Sequence, residues 1–128
     1  FEYGFNIGLA FQIIDDVMDY TLEKNVTGKN IGDDFKLGKT TLPIILAWKK
    51  SNKEERTFWI RTMQMLDQKE TDLIEAKKIM DKYEIIKNCK NIANDFIDNS
   101  LLALKKFPDN KYKNPLINLA KSSLIRTK

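Results

Sequence analysis

Three carboxylates stand close together in Phe11-Gln12-Ile13-Ile14-Asp15-Asp16-Val17-Met18-Asp19. On a helix turning about 100° per residue, Asp19 falls about 40° from Asp15, Gln12 about 60° and Asp16 about 100°. Gly8 and Gly4 fall within about 20° of Asp15 on either side. One face of such a helix therefore carries three carboxylates, an amide and two residues without side chains. Around it, Leu9, Ile13 and Val17, and Ala10, Ile14 and Met18, recur at helical spacing. A helix apolar nearly all round is a buried helix. Carboxylates held together in apolar surroundings repel one another and are costly to ionise, and a cation relieves both problems. Hard oxygen donors suit Mg²⁺, an ion commonly shared with substrate phosphates. The glycines would leave a groove for a bulky substrate. The alternative is that Asp15, Asp16 and Asp19 form an ordinary solvated face. The apolar flanks and the alignment of Gly4 and Gly8 with the carboxylates favour the metal reading.

A glycine-rich stretch follows: Thr27-Gly28-Lys29-Asn30-Ile31-Gly32-Asp33-Asp34-Phe35-Lys36-Leu37-Gly38-Lys39-Thr40-Thr41. Lysines on a flexible, glycine-bearing backbone suit phosphate oxygens, which makes Lys29 and Lys39 candidate anion ligands. The alternative for each is a solvated loop charge, and Lys36 is read that way. Gly38-Lys39-Thr40 matches the ending of a phosphate-binding P-loop. That motif also needs glycine where Asp33 stands, and a preceding strand that the pattern does not supply, so the P-loop reading fails. Asp33 and Asp34 either support the loop or tune Lys29.

The elements that must position these residues all read as helices. Residues 1–21 form the first, and 22–39 a loop. A second helix starts after Thr40 or Thr41, with Pro43 tolerated in its first turn. Ser51-Asn52-Lys53-Glu54 is a capping-box pattern opening a helix to about Leu66. Further helices fit 67–83, 85–106 and 112–126, the fifth ended by Phe107-Pro108-Asp109-Asn110. No stretch alternates with period two, so the fold class is all-α. Trp48, Phe58, Trp59, Met63 and Met65 read as core or interface, and the lysines at 77, 78, 82, 87 and 90 as solvated helix faces. The chain has 128 residues, one domain's worth or a piece of a larger domain. It opens inside an apolar periodic pattern, which points to a fragment or a split gene. A net charge of +4 without a basic run interleaved with aromatics gives no reason to expect nucleic acid. The absence of histidine excludes imidazole chemistry, and the single cysteine, Cys89, excludes an internal disulfide and fits a reducing, cytoplasmic setting.

Gly8-Leu9-Ala10-Phe11-Gln12-Ile13-Ile14-Asp15-Asp16-Val17-Met18-Asp19-Tyr20, then Gly28-Lys29-Asn30-Ile31-Gly32-Asp33-Asp34, then Gly38-Lys39-Thr40-Thr41-Leu42-Pro43 resembles the trans-polyprenyl diphosphate synthases, nearest the bacterial long-chain type such as octaprenyl diphosphate synthase. The specific motifs cover residues 8–47. Weaker similarity, through Ala103-Leu104, Pro108, Leu119-Ala120 and Arg126, reaches the end. The resemblance implies the C-terminal portion of an isoprenoid synthase helical bundle, with residues 1–128 a partial synthase domain. It implies that Asp15, Asp16 and Asp19 are the second of two Asp-rich motifs and bind Mg²⁺ that holds an allylic diphosphate. It places Phe11 and Gln12 beside the substrate, and Lys29 and Lys39 toward the diphosphate. Of these, Asp15, Asp16, Gln12 and Lys29 are expected to act in catalysis. The implied reaction is ionisation of the allylic diphosphate, attack by the double bond of isopentenyl diphosphate, and proton loss. The implied partners are those two diphosphates and either a second copy, in a homodimeric complete enzyme, or a separate N-terminal chain. The family's first Asp-rich motif has no counterpart here, so the chain alone is expected to be inactive and its first helix to expose apolar surface. Two other readings stand beside this one: a non-catalytic remnant or regulatory partner of a complete synthase, and an unrelated helical module with a solvated acidic patch.

Overall fold

Helical periodicity along the chain becomes seven α-helices among the described residues of a computed structural model, which are 2–21, 32–106 and 113–122. They are α1 (Glu2–Met18), α2 (Asp33–Lys36), α3 (Leu42–Lys50), α4 (Lys53–Trp59), α5 (Asp72–Lys82), α6 (Ile85–Leu104) and α7 (Lys113–Ser122). A π-helical segment, Ile60–Gln64, continues α4 directly. The fold is all-α. No helix among the described residues is long and apolar enough to cross a membrane. The chain divides into two compact units, Phe1–Ile14 with Lys87–Lys128, and Asp15–Ile86.

In the first unit, α6 and α1 each carry a buried stripe. Cys89, Ala93, Ile97 and Leu104 are buried at helical spacing along α6, with Ser100 among them, and Ile7, Ala10 and Ile13 are buried on α1. Ser100 donates from Oγ to the Tyr3 carbonyl at 3.3 Å, and the Tyr3 hydroxyl donates to the Leu116 carbonyl at 2.8 Å. Cys89, to which the sequence assigned no role, is thus part of the core stripe. The other side of α1 is open. Gly4, Phe5, Gly8, Phe11 and Gln12 are exposed, Phe5 by 61% and Phe11 by 44%. The expectation of apolar surface on this helix is met, and the expectation of burial all round is not.

In the second unit the core is Val17, Phe35, Ile44, Ala47, Trp59, Ala76, Ile79, Met80 and Ile85. Pro43 sits in the first turn of α3, as expected, behind an extended Thr41. The capping box falls one residue later than Ser51-Glu54. Asn52 accepts from the Glu55 amide at 2.9 Å, and Glu55 accepts from the Asn52 amide at 2.8 Å. Ser51 is engaged elsewhere: its hydroxyl donates to the Ala47 carbonyl at 2.6 Å and accepts from the Trp59 indole at 2.9 Å. Trp59 is buried, whereas Trp48 lies at the surface under the Arg56 guanidinium, 4.7 Å from its ring centre, and Met65 is exposed.

The stretch after the π-segment is held by charge. Arg61 grips Asp72 with two bonds of 2.9 and 3.0 Å and donates to the Asp67 carbonyl at 2.8 Å. Asp72 also accepts from the Lys69 amide at 2.7 Å. The Arg61 guanidinium beside Asp72 holds its carboxyl below the ordinary carboxylate range. These bonds keep residues 67–69 out of a helix, so α5 begins at Asp72 and not at Asp67.

Two glycines face each other in their energetics. Gly38 has φ of +68°, and a Cβ there would meet Leu66 Cδ2 at 2.5 Å and the Met63 carbonyl oxygen at 2.9 Å. Gly8 lies within α1, and a Cβ there meets nothing within 4 Å. Gly38→Ala should therefore destabilise by about 2 kcal/mol or more, while Gly8→Ala should stabilise by roughly 0.5–1 kcal/mol. Urea denaturation of the two variants tests this, and effects of the same sign would refute it.

Candidate active site

The acidic motif lies where α1 ends. The helix closes at Met18, and the chain turns through amide bonds from Tyr20 to the Val17 carbonyl at 3.0 Å and from Thr21 to that of Met18 at 3.3 Å. Asp15 and Asp16 are in the last helical turn, and Asp19 is just past it. The three carboxylates differ in burial. Asp15 is exposed, Asp16 is 6% exposed and Asp19 is 1% exposed. Asp16 is buried at the 100° offset that the angles give it, Asp15 faces solvent, and Asp19 is buried just past the end of the helix.

Asp19 turns toward α2. Its Oδ1 accepts from the buried Asp34 amide at 3.3 Å, and its carbonyl accepts from the Gly32 amide at 3.1 Å. The Asp34 carbonyl in turn accepts from the Lys39 amide at 2.9 Å. A short helix therefore bridges the acidic turn and the lysine, in a stretch read from sequence as loop throughout. The backbone of Asp34 braces the loop, and Lys29, the other residue weighed for it, lies outside the described residues. The Lys39 and Lys36 side chains are exposed. Lys29, with the rest of 22–31, lies outside the described residues, as do Phe107-Pro108 and Arg126. Phe11 and Gln12 are exposed on α1, within the first unit.

The donor types, three aspartates without histidine or cysteine, suit a hard divalent cation. Among the described residues, no three such side chains are gathered into a ready-made metal cage.

Tyr20 is the residue the sequence did not single out. It is 4% exposed, and its hydroxyl has no hydrogen-bond partner among the described residues. Burial above all, then the charges of Asp19, Asp34 and Asp16, push its ionisation far above the ordinary tyrosine range, so the phenol keeps its proton. Only its place directly after Asp19 could have flagged it. A buried hydroxyl without a partner costs stability. Tyr20→Phe should leave stability unchanged or raise it by up to about 1 kcal/mol. A clear loss in thermal or chemical denaturation would mean that the hydroxyl is bonded in solution.

The geometry can be set beside known proteins. The model of the Polyprenyl synthetase family matches residues 1–83. The octaprenyl diphosphate synthase of Haemophilus influenzae is 32% identical over 125 residues, covering 98% of this chain and 38% of that protein. The all-trans-nonaprenyl-diphosphate synthase of Rhodobacter capsulatus is 35% identical over 125 residues, again covering 98% and 38%. A polyprenyl synthase from Caulobacter crescentus, solved in complex with calcium and isoprenyl diphosphate, superposes with a TM-score of 0.87 at 38% identity, covering 98% of this chain and 38% of that one. The chain thus spans about two-fifths of the length of these relatives. A family match over 83 residues, and similarity at this level over nearly the whole chain in sequence and in structure, lead to one conclusion: the chain belongs to the polyprenyl synthetase family.

Proposed function

We propose that this chain supplies the diphosphate-holding C-terminal part of a prenyl-chain-elongating synthase, which joins an allylic diphosphate to isopentenyl diphosphate. The observation that carries the reading is the bridge through α2, in which Asp34 donates to Asp19 and accepts from Lys39. It ties an acidic, cation-binding turn to a basic, anion-binding one, the pairing that a metal diphosphate requires.

Asp15, Asp16 and Asp19 are the residues to hold Mg²⁺. When bound, Mg²⁺ would neutralise the charge of the departing diphosphate. Lys39, and Lys29 from the neighbouring segment, add fixed positive charge toward the same group, which is electrostatic stabilisation of a leaving anion. Phe11 and Gln12 are the substrate-side contacts on α1, and Gly4 and Gly8 keep that face open to an apolar chain. The phenol of Tyr20, held protonated, adds no charge that would oppose the diphosphate. In the reaction, the allylic C–O bond breaks and diphosphate carries away the electron pair. The isopentenyl double bond then attacks the cation, and a proton leaves the adjacent carbon. The Caulobacter relative, with calcium and isoprenyl diphosphate bound, supports a divalent cation and this substrate class. The working assembly includes the remaining three-fifths of a synthase, in a homodimer of the complete enzyme or from a separate N-terminal chain.

The test joins this chain to the part of the Haemophilus influenzae synthase that it does not match. The readout is incorporation of labelled isopentenyl diphosphate into extractable lipid. The joined protein should turn over in the presence of Mg²⁺, and the 128-residue chain alone should not. Asp15→Ala in the joined protein should lower the rate by at least about 100-fold, and Lys36→Ala by less than about twofold. A folded joined protein without turnover would instead favour a non-catalytic partner, and turnover by the chain alone would refute the need for a second part.

A further inference from the structure

The turn carrying Lys39 is short, exposed along one side and built on two glycines with positive φ, Gly32 at +86° and Gly38 at +68°. Nothing in its own four-residue helix makes it rigid, because helices this short are marginal by themselves. A polar side chain from a distant part of the sequence reaches it. Gln68 Nε2 donates to the Phe35 carbonyl at 2.8 Å and to the Thr62 carbonyl at 2.8 Å. A side-chain amide nitrogen has two protons, so both are used. Phe35 lies in the middle of α2 and is 2% exposed, and its carbonyl also accepts from Gly38 at 3.0 Å. Thr62 lies inside the π-segment.

Gln68 is itself held on both sides. Arg61 donates to the carbonyl of Asp67, and Asp72 accepts from the amide of Lys69. The Arg61–Asp72 ion pair thereby pins the residues flanking Gln68. The packing agrees, since Gly38 fits against Leu66 and the Met63 carbonyl, and Gly32 against Leu73.

We propose that Gln68 is a positioning residue, which fixes the Gly32–Lys39 turn and so sets Lys39 and the Asp34–Asp19 bond relative to each other. Its catalytic consequence rests on the elongation reading above. With Gln68 in place, the amide that holds Asp19 and the lysine that meets diphosphate belong to one rigid piece. Without its two donors, the turn keeps its bonds to Asp19 and its apolar contacts but loses its polar tie to the π-segment, and the Thr62 carbonyl must find another donor.

The test uses Gln68→Met, which keeps the volume and removes the donors, and Gln68→Lys, which restores donors to the same two carbonyls. Amide hydrogen exchange in the 128-residue chain reads the turn directly. Gln68→Met should speed exchange at Asp34, Gly38 and Lys39 by about tenfold, and Gln68→Lys should return it toward wild type. In the joined synthase, Gln68→Met should raise the apparent KM for the allylic diphosphate by about tenfold with a smaller loss of kcat, and Gln68→Lys should recover most of it. Unchanged exchange, equal losses in both variants, or a lowered unfolding midpoint with unchanged KM would overturn the proposal. If wild-type joined synthase does not turn over, the elongation reading falls, and the exchange data by themselves decide whether Gln68 holds the turn.

Discussion

The bond from the Asp34 amide to the Asp19 carboxylate is the constraint on which the rest of the site depends. A carboxylate removed from water loses several kcal/mol of solvation unless donors replace it. Asp19 is only 1% exposed, and one donor it receives is a backbone amide at the start of a short helix. The amide can be there only if α1 stops at Met18 and the chain returns to begin α2 beside the turn. The position of the acidic turn therefore fixes where α2 begins, and α2 fixes where Lys39 leaves the backbone. Charges of opposite sign, 20 residues apart in sequence, are coupled through two peptide groups and not through an ion pair.

The same logic recurs around Arg61. Its guanidinium satisfies a buried carboxylate and a loop carbonyl together, and the loop it braces supplies the amide of Gln68. Polar networks of this kind hold shape where apolar contact alone permits sliding. The second unit is therefore organised from the outside in. An ion pair braces a loop, the loop holds a short helix, and the short helix holds the acidic turn. The first unit is simpler: α1 and α6 carry buried stripes, and Tyr3 of α1 is joined by one hydrogen bond to α6 and by another to α7.

Helix signals made α1, α3, α4 and α6 legible in the sequence, because each presents an apolar stripe, an early proline or a capping pattern that a helix uses well. The departures have identifiable causes. The capping box moved from Ser51 to Asn52 because the Ser51 hydroxyl closes α3 instead. The start of α5 moved to Asp72 because an ion pair spanning 11 residues holds the preceding stretch out of helix, and no periodicity encodes it. The residue types at the acidic motif announced their chemistry. Their arrangement was hidden, because a helix ending one residue before Asp19 looks the same in sequence as one that continues through it. Gln68 carried no signal at all: a lone glutamine matters only through the carbonyls it reaches, and one of those belongs to a helix 33 residues earlier.

The π-segment takes up one residue of chain length within this arrangement. A wide turn, closed here by the Met65 amide on the Ile60 carbonyl at 2.9 Å, accommodates one residue more than an α-turn. A segment one residue shorter could close as an ordinary α-turn with its flanks nearly in register. Arg61 and Thr62 lie inside it and supply the guanidinium and the carbonyl of the brace, so over evolutionary time identity at Arg61 should be held more strictly than identity at its neighbours Ile60 and Gln64.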